Sequence, residues 1–217
     1  MATDWKELAQ NAKYRSNIYA LLAAVFREEP SVALIKELRD PQLSGVFSDQ
    51  GADLGEEFYN SPETELIETL GLEFTRLFIG PDSHISAHES VFAEMDEGMS
   101  GLWGRTTVAV KKFIETTGLD YTPAFTGVPD HISVELEFMQ KLTEWEAQKW
   151  HQKDRAGAEY CLTVERMFLQ QHLSSWIPQF CNAVIAQAEM PFYRAMSELM
   201  KNYLEFEQQS IAADVAA

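Results

Sequence analysis

Five histidines and 34 carboxylate side chains are the residues of this 217-residue chain best able to do chemistry. A metal site or an acid–base pair would draw on them. The HExxH motif, which sets two imidazoles and a general base on one helix face, is absent: His88-Glu89 is followed by Ser90-Val91-Phe92. None of His84, His88, His131, His151 and His172 has a glutamate three residues before it. The inward-pointing Glu-x-x-His pairs of a di-iron bundle are therefore missing. There is no GxGxxG, no phosphate loop and no GxSxG elbow. His84, His88 and Glu89 are left as a candidate metal set, spaced for one helix face in a stretch with weak helix signals. A polar surface loop is the plainer reading.

Asp130-His131 admits two readings. Asp130 can accept backbone N–H groups at a helix start, with His131 as the first helical residue. Alternatively, the corner displays an acid and an imidazole to a ligand. Glu135 lies one turn further on and can face the same corner; a solvated face is the alternative for Glu135 and Glu137. Leu77-Phe78-Ile79, ending at Gly80-Pro81, is either core or part of a groove wall. Cys161 and Cys181 are too few and too far apart for a thiolate zinc site, and read as buried free thiols of a reducing compartment.

The elements that must position these residues are helices. Asp4 opens a long helix with Leu8, Ala12, Tyr19, Leu22 and Phe26 on one side, ending before Pro30. Ser31 caps a short helix through Leu38. Ser61 as cap, with Pro62 at the first helical position, starts a helix that runs to about Phe78. Residues 81–101 read as an irregular connection. A helix from about Leu102 to Thr117 ends at Gly118, a left-handed cap. After a loop at 119–130, Asp130 caps a helix from His131 to about His151, with Ile132, Leu136, Met139, Leu142 and Trp145 as its core stripe. A helix fills about 156–173, Trp176 and Pro178 mark a break, and 178–188 is helical again. Pro191 opens the last helix, which fades near Gln209 into a frayed tail. No stretch has sustained period-two alternation, so the fold class is all-α without a sheet.

Hydrophobic residues make up 46% of the chain, enough for a sizeable core. The longest unbroken apolar run is Ala20 to Phe26, far short of the roughly 20 residues a membrane span needs. The polar N-terminus does not resemble a secretory signal, so a cytoplasmic location is expected. The formal charge is −17. It argues against nucleic acid and anionic lipid as partners, because phosphate binding needs clustered Lys and Arg. It serves solubility, and it also suits a basic partner.

Glu73-Phe74-Thr75-Arg76-Leu77-Phe78-Ile79-Gly80-Pro81 resembles the helix-end signature of the TorD/DmsD family, the dedicated chaperones of exported molybdenum enzymes. Four further blocks agree in the family's order: Glu89-Ser90-Val91, Pro129-Asp130-His131-Ile132 with Glu135-Leu136, His172-Leu173 with Trp176 and Phe180, and Pro191-Phe192-Tyr193-Arg194. Together they span roughly residues 70–200; the first 60 residues add only a compatible helical pattern.

The resemblance implies a single all-helical, bundle-like domain over 1–217, hinged near 119–130, as a monomer or a domain-swapped homodimer. It implies a non-enzyme with no cofactor and no catalytic or metal residues. Its partner would be the twin-arginine leader, and the body, of a molybdopterin oxidoreductase subunit, with the export translocase as a further one. The leader-binding set carried over is Phe74, Arg76, Leu77, Phe78, Gly80, Pro81, His88, Glu89, Ser90, Asp130, His131 and Glu135. Weak guanine-nucleotide binding has been proposed for the family, but this chain has no phosphate loop. Ala87-His88-Glu89 stands where relatives often carry prolines and an aromatic, and Phe92 where a hydroxylated aromatic is common. These departures bear on which leader is bound. Two rival readings stand beside this one. The first is a metal- or nucleotide-dependent helical enzyme using His84, His88, Glu89, Asp130 and His131. The second is a subunit-assembly scaffold that does not read the leader.

Overall fold

The computed structural model describes residues 4–41, 52–81, 84–95, 103–122 and 125–214. Among these the architecture is all-helical, as expected, and the only sheet-like feature is an isolated bridge between His88 and His131. The elements are α1 (Trp5–Arg27), α2 (Val32–Leu38), α3 (Glu56–Asn60), α4 (Glu63–Phe74), a π-helical turn π1 (Thr75–Ile79), α5 (Glu89–Met95), α6 (Arg105–Thr116), α7 (Ile132–His151), α8 (Arg155–Phe168), a second π turn π2 (Leu169–Leu173), α9 (Ser174–Gln187) and α10 (Pro191–Asp214).

Several ends follow from local chemistry. Asp4 Oδ1 accepts the N–H groups of Lys6 and Glu7 at 3.1 Å and caps α1. Ser31 Oγ accepts Leu34 N–H at 3.2 Å and caps α2. Gly118, at φ +83°, ends α6 in the left-handed conformation that glycine adopts without a Cβ penalty.

Other ends differ from expectation. Pro62, not Ser61, occupies the cap position of α4, because Ser61 closes α3. The connection after Pro81 is not irregular throughout, since α5 forms within it. The break at Trp176–Pro178 does not occur. Pro178 lies inside α9, and the chain is wound from Arg155 to Gln187 through the π2 turn. The last helix reaches Asp214, beyond the expected fading at Gln209.

The chain divides into two compact units. The first comprises the residues up to Ala23, His88–Trp176 and those from Glu207 onward; it contains the whole of 119–130. The second comprises Ala24–Ala87 and Ile177–Phe206.

In the first unit α7 and α8 pack against each other. Small residues Ala9, Ala12, Ala147 and Ala158 let the helices approach around Trp150. The Phe138 and Phe168 rings meet edge-on at 4.6 Å, with Phe113 joining them. Of the expected α7 stripe, Ile132, Leu136, Met139 and Leu142 are buried, whereas Trp145 is half-buried. In the second unit, Phe26, Phe74, Phe78, Phe180 and Tyr193 form a continuous aromatic core, and Phe58 stacks on Phe192 at 5.4 Å. Aromatic rings in such edge-on and offset pairs contribute about 0.5–1.5 kcal/mol beyond burial.

Candidate functional site

The corner at Pro129-Asp130-His131 is built from three segments of the first unit. His88 and His131 form the antiparallel bridge, with Glu89 N–H donating to Asp130 carbonyl at 3.0 Å. Their rings meet edge-on, centroids 4.9 Å apart. Both are half-buried. Burial lowers the His88 pKa, against the opposing pull of Asp130, so its neutral form is favoured.

The capping roles are reversed from the expectation. Asp130 does not cap the helix that follows it. His131 does: its Nδ1 accepts Ser133 N–H at 3.2 Å and lies 2.9 Å from Ser133 Oγ. Asp130 Oδ2 instead accepts the N–H of Ser90 at 2.9 Å, at the start of α5. The Asp130 side chain thereby ties the 119–131 segment to α5. Asp130 and Ser90 are fully buried.

Behind this tie lies a buried polar chain. Glu89 accepts from His172 Nδ1 at 2.9 Å. Trp176 Nε1–H donates to Glu135 Oε2 at 3.1 Å. Burial pushes the Glu135 carboxyl well above the usual carboxylate range, and the neighbouring charges of Glu89 and Asp130 push it the same way. The Trp176 N–H bond opposes this rise. His172 is enclosed by the rings of Phe113 and Phe168, and Trp176 by Phe92. Burial, then the charges of Glu115, Glu135, Asp130 and Asp120, raises the Tyr121 hydroxyl far above its ordinary value.

Of the carried-over residues, His88, Glu89, Ser90, Asp130, His131 and Glu135 are thus brought together in the first unit. Phe74, Arg76, Leu77, Phe78, Gly80 and Pro81 belong to the second. There Phe74 and Leu77 are core residues and Phe78 is half-buried among Phe26, Phe180 and Tyr193. Gly80 N–H closes the π1 turn onto Thr75 carbonyl at 2.7 Å, and Pro81 is exposed. Arg76 pairs with the buried Glu73 through two bonds of 2.8 and 2.9 Å and also reaches Gln187 carbonyl. Glu73 further accepts the N–H groups of Glu189 and Met190. Burial works to raise the Glu73 pKa, but Arg76 and the two N–H groups outweigh it and hold the carboxyl low. The apolar residues of α4 and π1 that do face solvent are Leu72 and Ile79, 68% and 61% exposed. A hollow of about 100 Å³ elsewhere in this unit is lined by Leu54, Phe58, Leu66, Leu70, Met190 and Phe192.

The sequence reading missed a second buried cluster in the first unit. Arg15 binds Glu207 through Nε at 2.9 Å, Glu146 through Nη1 at 2.8 Å and Glu165 through Nη2 at 2.6 Å. Tyr19 and Trp150 donate to Glu207 and Glu146. Its members come from α1, α7, α8 and α10, so no local motif could signal it. His84 is exposed and takes no part in either cluster. No group of three or more His, Cys, Asp or Glu suited to a metal ion occurs among the described residues. No described helix is long and apolar enough to cross a membrane.

The family described as nitrate reductase delta subunit matches residues 42–182. The chain belongs to that family. It is of the TorD-like redox enzyme maturation type that its motifs resemble. No curated protein compared with it matches. A crystal structure given as a candidate redox enzyme maturation protein from Archaeoglobus fulgidus shares the fold. It has a TM-score of 0.54 and 20% identity, over 88% of this chain and 93% of that one. Members of the family are chaperones for molybdoenzymes and not catalysts, and this TorD-like chain is a maturation chaperone of that kind.

Proposed function

We propose that this TorD-like chaperone acts in the cytoplasm by binding the N-terminal leader of one molybdenum-cofactor oxidoreductase. The leader would bear paired arginines before an apolar stretch. Holding it would delay export until the cofactor is in place. The observation that carries this reading is the acidic corner of Asp130, Glu89 and Glu135 beside the His88–His131 bridge, in a chain of formal charge −17. A diffuse negative field draws a basic segment in, and fixed carboxylates give the arginines a geometry to recognise.

Calorimetry with a paired-arginine leader peptide and its Lys-Lys counterpart tests this. Tighter binding of the arginine form is expected, because a guanidinium matches carboxylates in a planar fork that an ammonium lacks. Absence of binding to any molybdoenzyme leader from the same genome would sink the reading. A scaffold that ignores the leader would still retain its client in a pull-down after the leader had been removed.

A further inference from the structure

Two ring N–H groups hold the corner from behind, and both come from one face of a single winding helix. His172, in π2, donates from Nδ1 to Glu89 at 2.9 Å. Trp176, four residues on in α9, donates from Nε1 to Glu135 Oε2 at 3.1 Å. All four residues are buried. Burial along this stretch recurs at strict four-residue steps, at Val164, Phe168, His172 and Trp176. A plain α-helix turns by about 100° per residue, so each such step would drift by about 40° and the three together by about 120°. The extra residue wound into π2 takes up most of that drift. The turn thereby keeps His172 and Trp176 on the buried side where Phe168 meets Phe138 of α7.

The bonds they make leave particular oxygens over. Glu135 gives Oε2 to Trp176, and Asp130 gives Oδ2 to the Ser90 N–H. Glu135 Oε1 and Asp130 Oδ1 are shielded from solvent and meet no hydrogen-bond partner. Native folds retain few such atoms. Glu89 lies with both carboxyl oxygens near His172 Nδ1, at 3.2 and 2.9 Å, while its N–H donates to the Asp130 carbonyl. His172 therefore ties the first residue of α5 to π2, and Asp130 ties the same turn to the 119–131 segment. Stability alone is a poor reason for these pairs, because the lost hydration of a buried carboxyl offsets much of the bond it accepts.

Resting on the leader-binding reading above, we propose that His172 and Trp176 are positioning residues: their ring N–H groups, aimed by the π2 turn, fix the Glu89 and Glu135 carboxyls in the geometry that the leader meets. Neither ring touches the leader. Each acts through the carboxyl it holds. Fixed acceptors matter most to a planar fork of N–H donors and least to an ammonium, whose three donors rotate freely. The two rings therefore set how strongly arginine is preferred over lysine.

The whole protein and its H172F, W176F and H172N variants are titrated by calorimetry with the paired-arginine peptide and its Lys-Lys counterpart. Amide hydrogen exchange is followed at Glu89 and Ser90. H172F keeps a ring between Phe113 and Phe168 but removes the N–H. H172N keeps a donor close to the place of Nδ1. H172F and W176F should each weaken the arginine peptide by roughly tenfold, the order of one lost charge-assisted bond, and leave the Lys-Lys peptide nearly unchanged. H172N should restore the arginine preference. Exchange at Glu89 and Ser90 should quicken in H172F and slow again in H172N. An unchanged arginine preference in folded H172F and W176F overturns the positioning role and leaves leader binding standing. So do equal losses for both peptides that H172N does not repair. Failure of the wild type to bind either peptide overturns both readings. Should H172F fold poorly by circular dichroism, W176F decides the matter.

Discussion

Asp130 caps a helix forty residues upstream of itself, its Oδ2 taking the N–H of Ser90 at 2.9 Å. The cap belongs to α5, while α7, the helix that follows Asp130, is capped by His131. Neighbouring residues thus fasten two different helices. Replacing Asp130 with Ala should cost about 1–2 kcal/mol, because the cap is lost in a buried setting. Replacing it with Asn keeps an oxygen for Ser90 and should cost less. Under the leader-binding proposal, Asn should also weaken peptide affinity more than it lowers Tm. Thermal melts paired with calorimetry on both variants check this, and equal losses for Asn would reduce the corner to a structural tie.

His131→Ala should lower stability by about 1 kcal/mol through α7, since its Nδ1 serves Ser133 N–H. His131→Asn should recover most of that loss. Comparable melting temperatures for the two variants would contradict the capping role.

Helix ends governed by one residue were legible in the sequence. Ser31, Gly118 and Pro191 each act alone, through a hydroxyl, a missing Cβ or a missing N–H, and each marks its helix as expected. Ends decided by tertiary partners were not. Nothing around Asp130 indicates that Ser90 competes for its carboxylate. Pro178 signals a break, yet the chain stays helical there, missing only the bond that Pro178 cannot donate. The short α5 is hidden because its first turn is held from outside. The acidic and imidazole residues of the corner were named from local pattern and family resemblance. Their connection to His172 and Trp176 through Glu89 and Glu135 is purely three-dimensional.

The Arg15 cluster predicts a pH-dependent stability with a definite sign. Burial, reinforced by the charge of Glu165 and opposed by Arg15, pushes the Glu146 carboxyl up to about 8, against 4.5 for the ordinary group. A raised carboxyl favours the fold in its protonated form. Its contribution is complete below about 4.5 and is lost as pH climbs toward about 8. Melting temperature should fall across that window from this group, and Glu146→Gln should flatten the fall. A variant that keeps the full wild-type slope would assign the effect elsewhere.

Arg15→Met should be severe near neutral pH, on the order of 3–5 kcal/mol, because the buried carboxyls of Glu146, Glu165 and Glu207 would lose the one guanidinium that bonds all three. Mild acid should restore part of the loss by protonating Glu165, whose carboxyl burial pushes up and Arg15 holds down in the wild type. Denaturant titrations at two pH values would measure the recovery, and a loss independent of pH would contradict it.

Glu73→Ala should destabilise by about 2–3 kcal/mol, since one buried carboxylate serves Arg76, Glu189 N–H and Met190 N–H together. The wild-type contribution is present above the ordinary carboxylate pKa and is lost as pH falls through the lowered one. The gap between wild type and Glu73→Ala should therefore narrow in acid, as read from paired melts.

The π turns at Thr75–Ile79 and Leu169–Leu173 bear on how relatives should be aligned. A π turn is an α-helix with one residue added, wound in without leaving the helix. A relative lacking one residue there can close the same stretch as plain α-helix with the downstream faces kept, because the wider turn absorbs the extra residue that plain α winding would pass on as about a quarter-turn of rotation. A single-residue gap at either place records a change of winding rather than a shortened loop. Residues beyond it are best matched by the direction they face and not by their count from the gap.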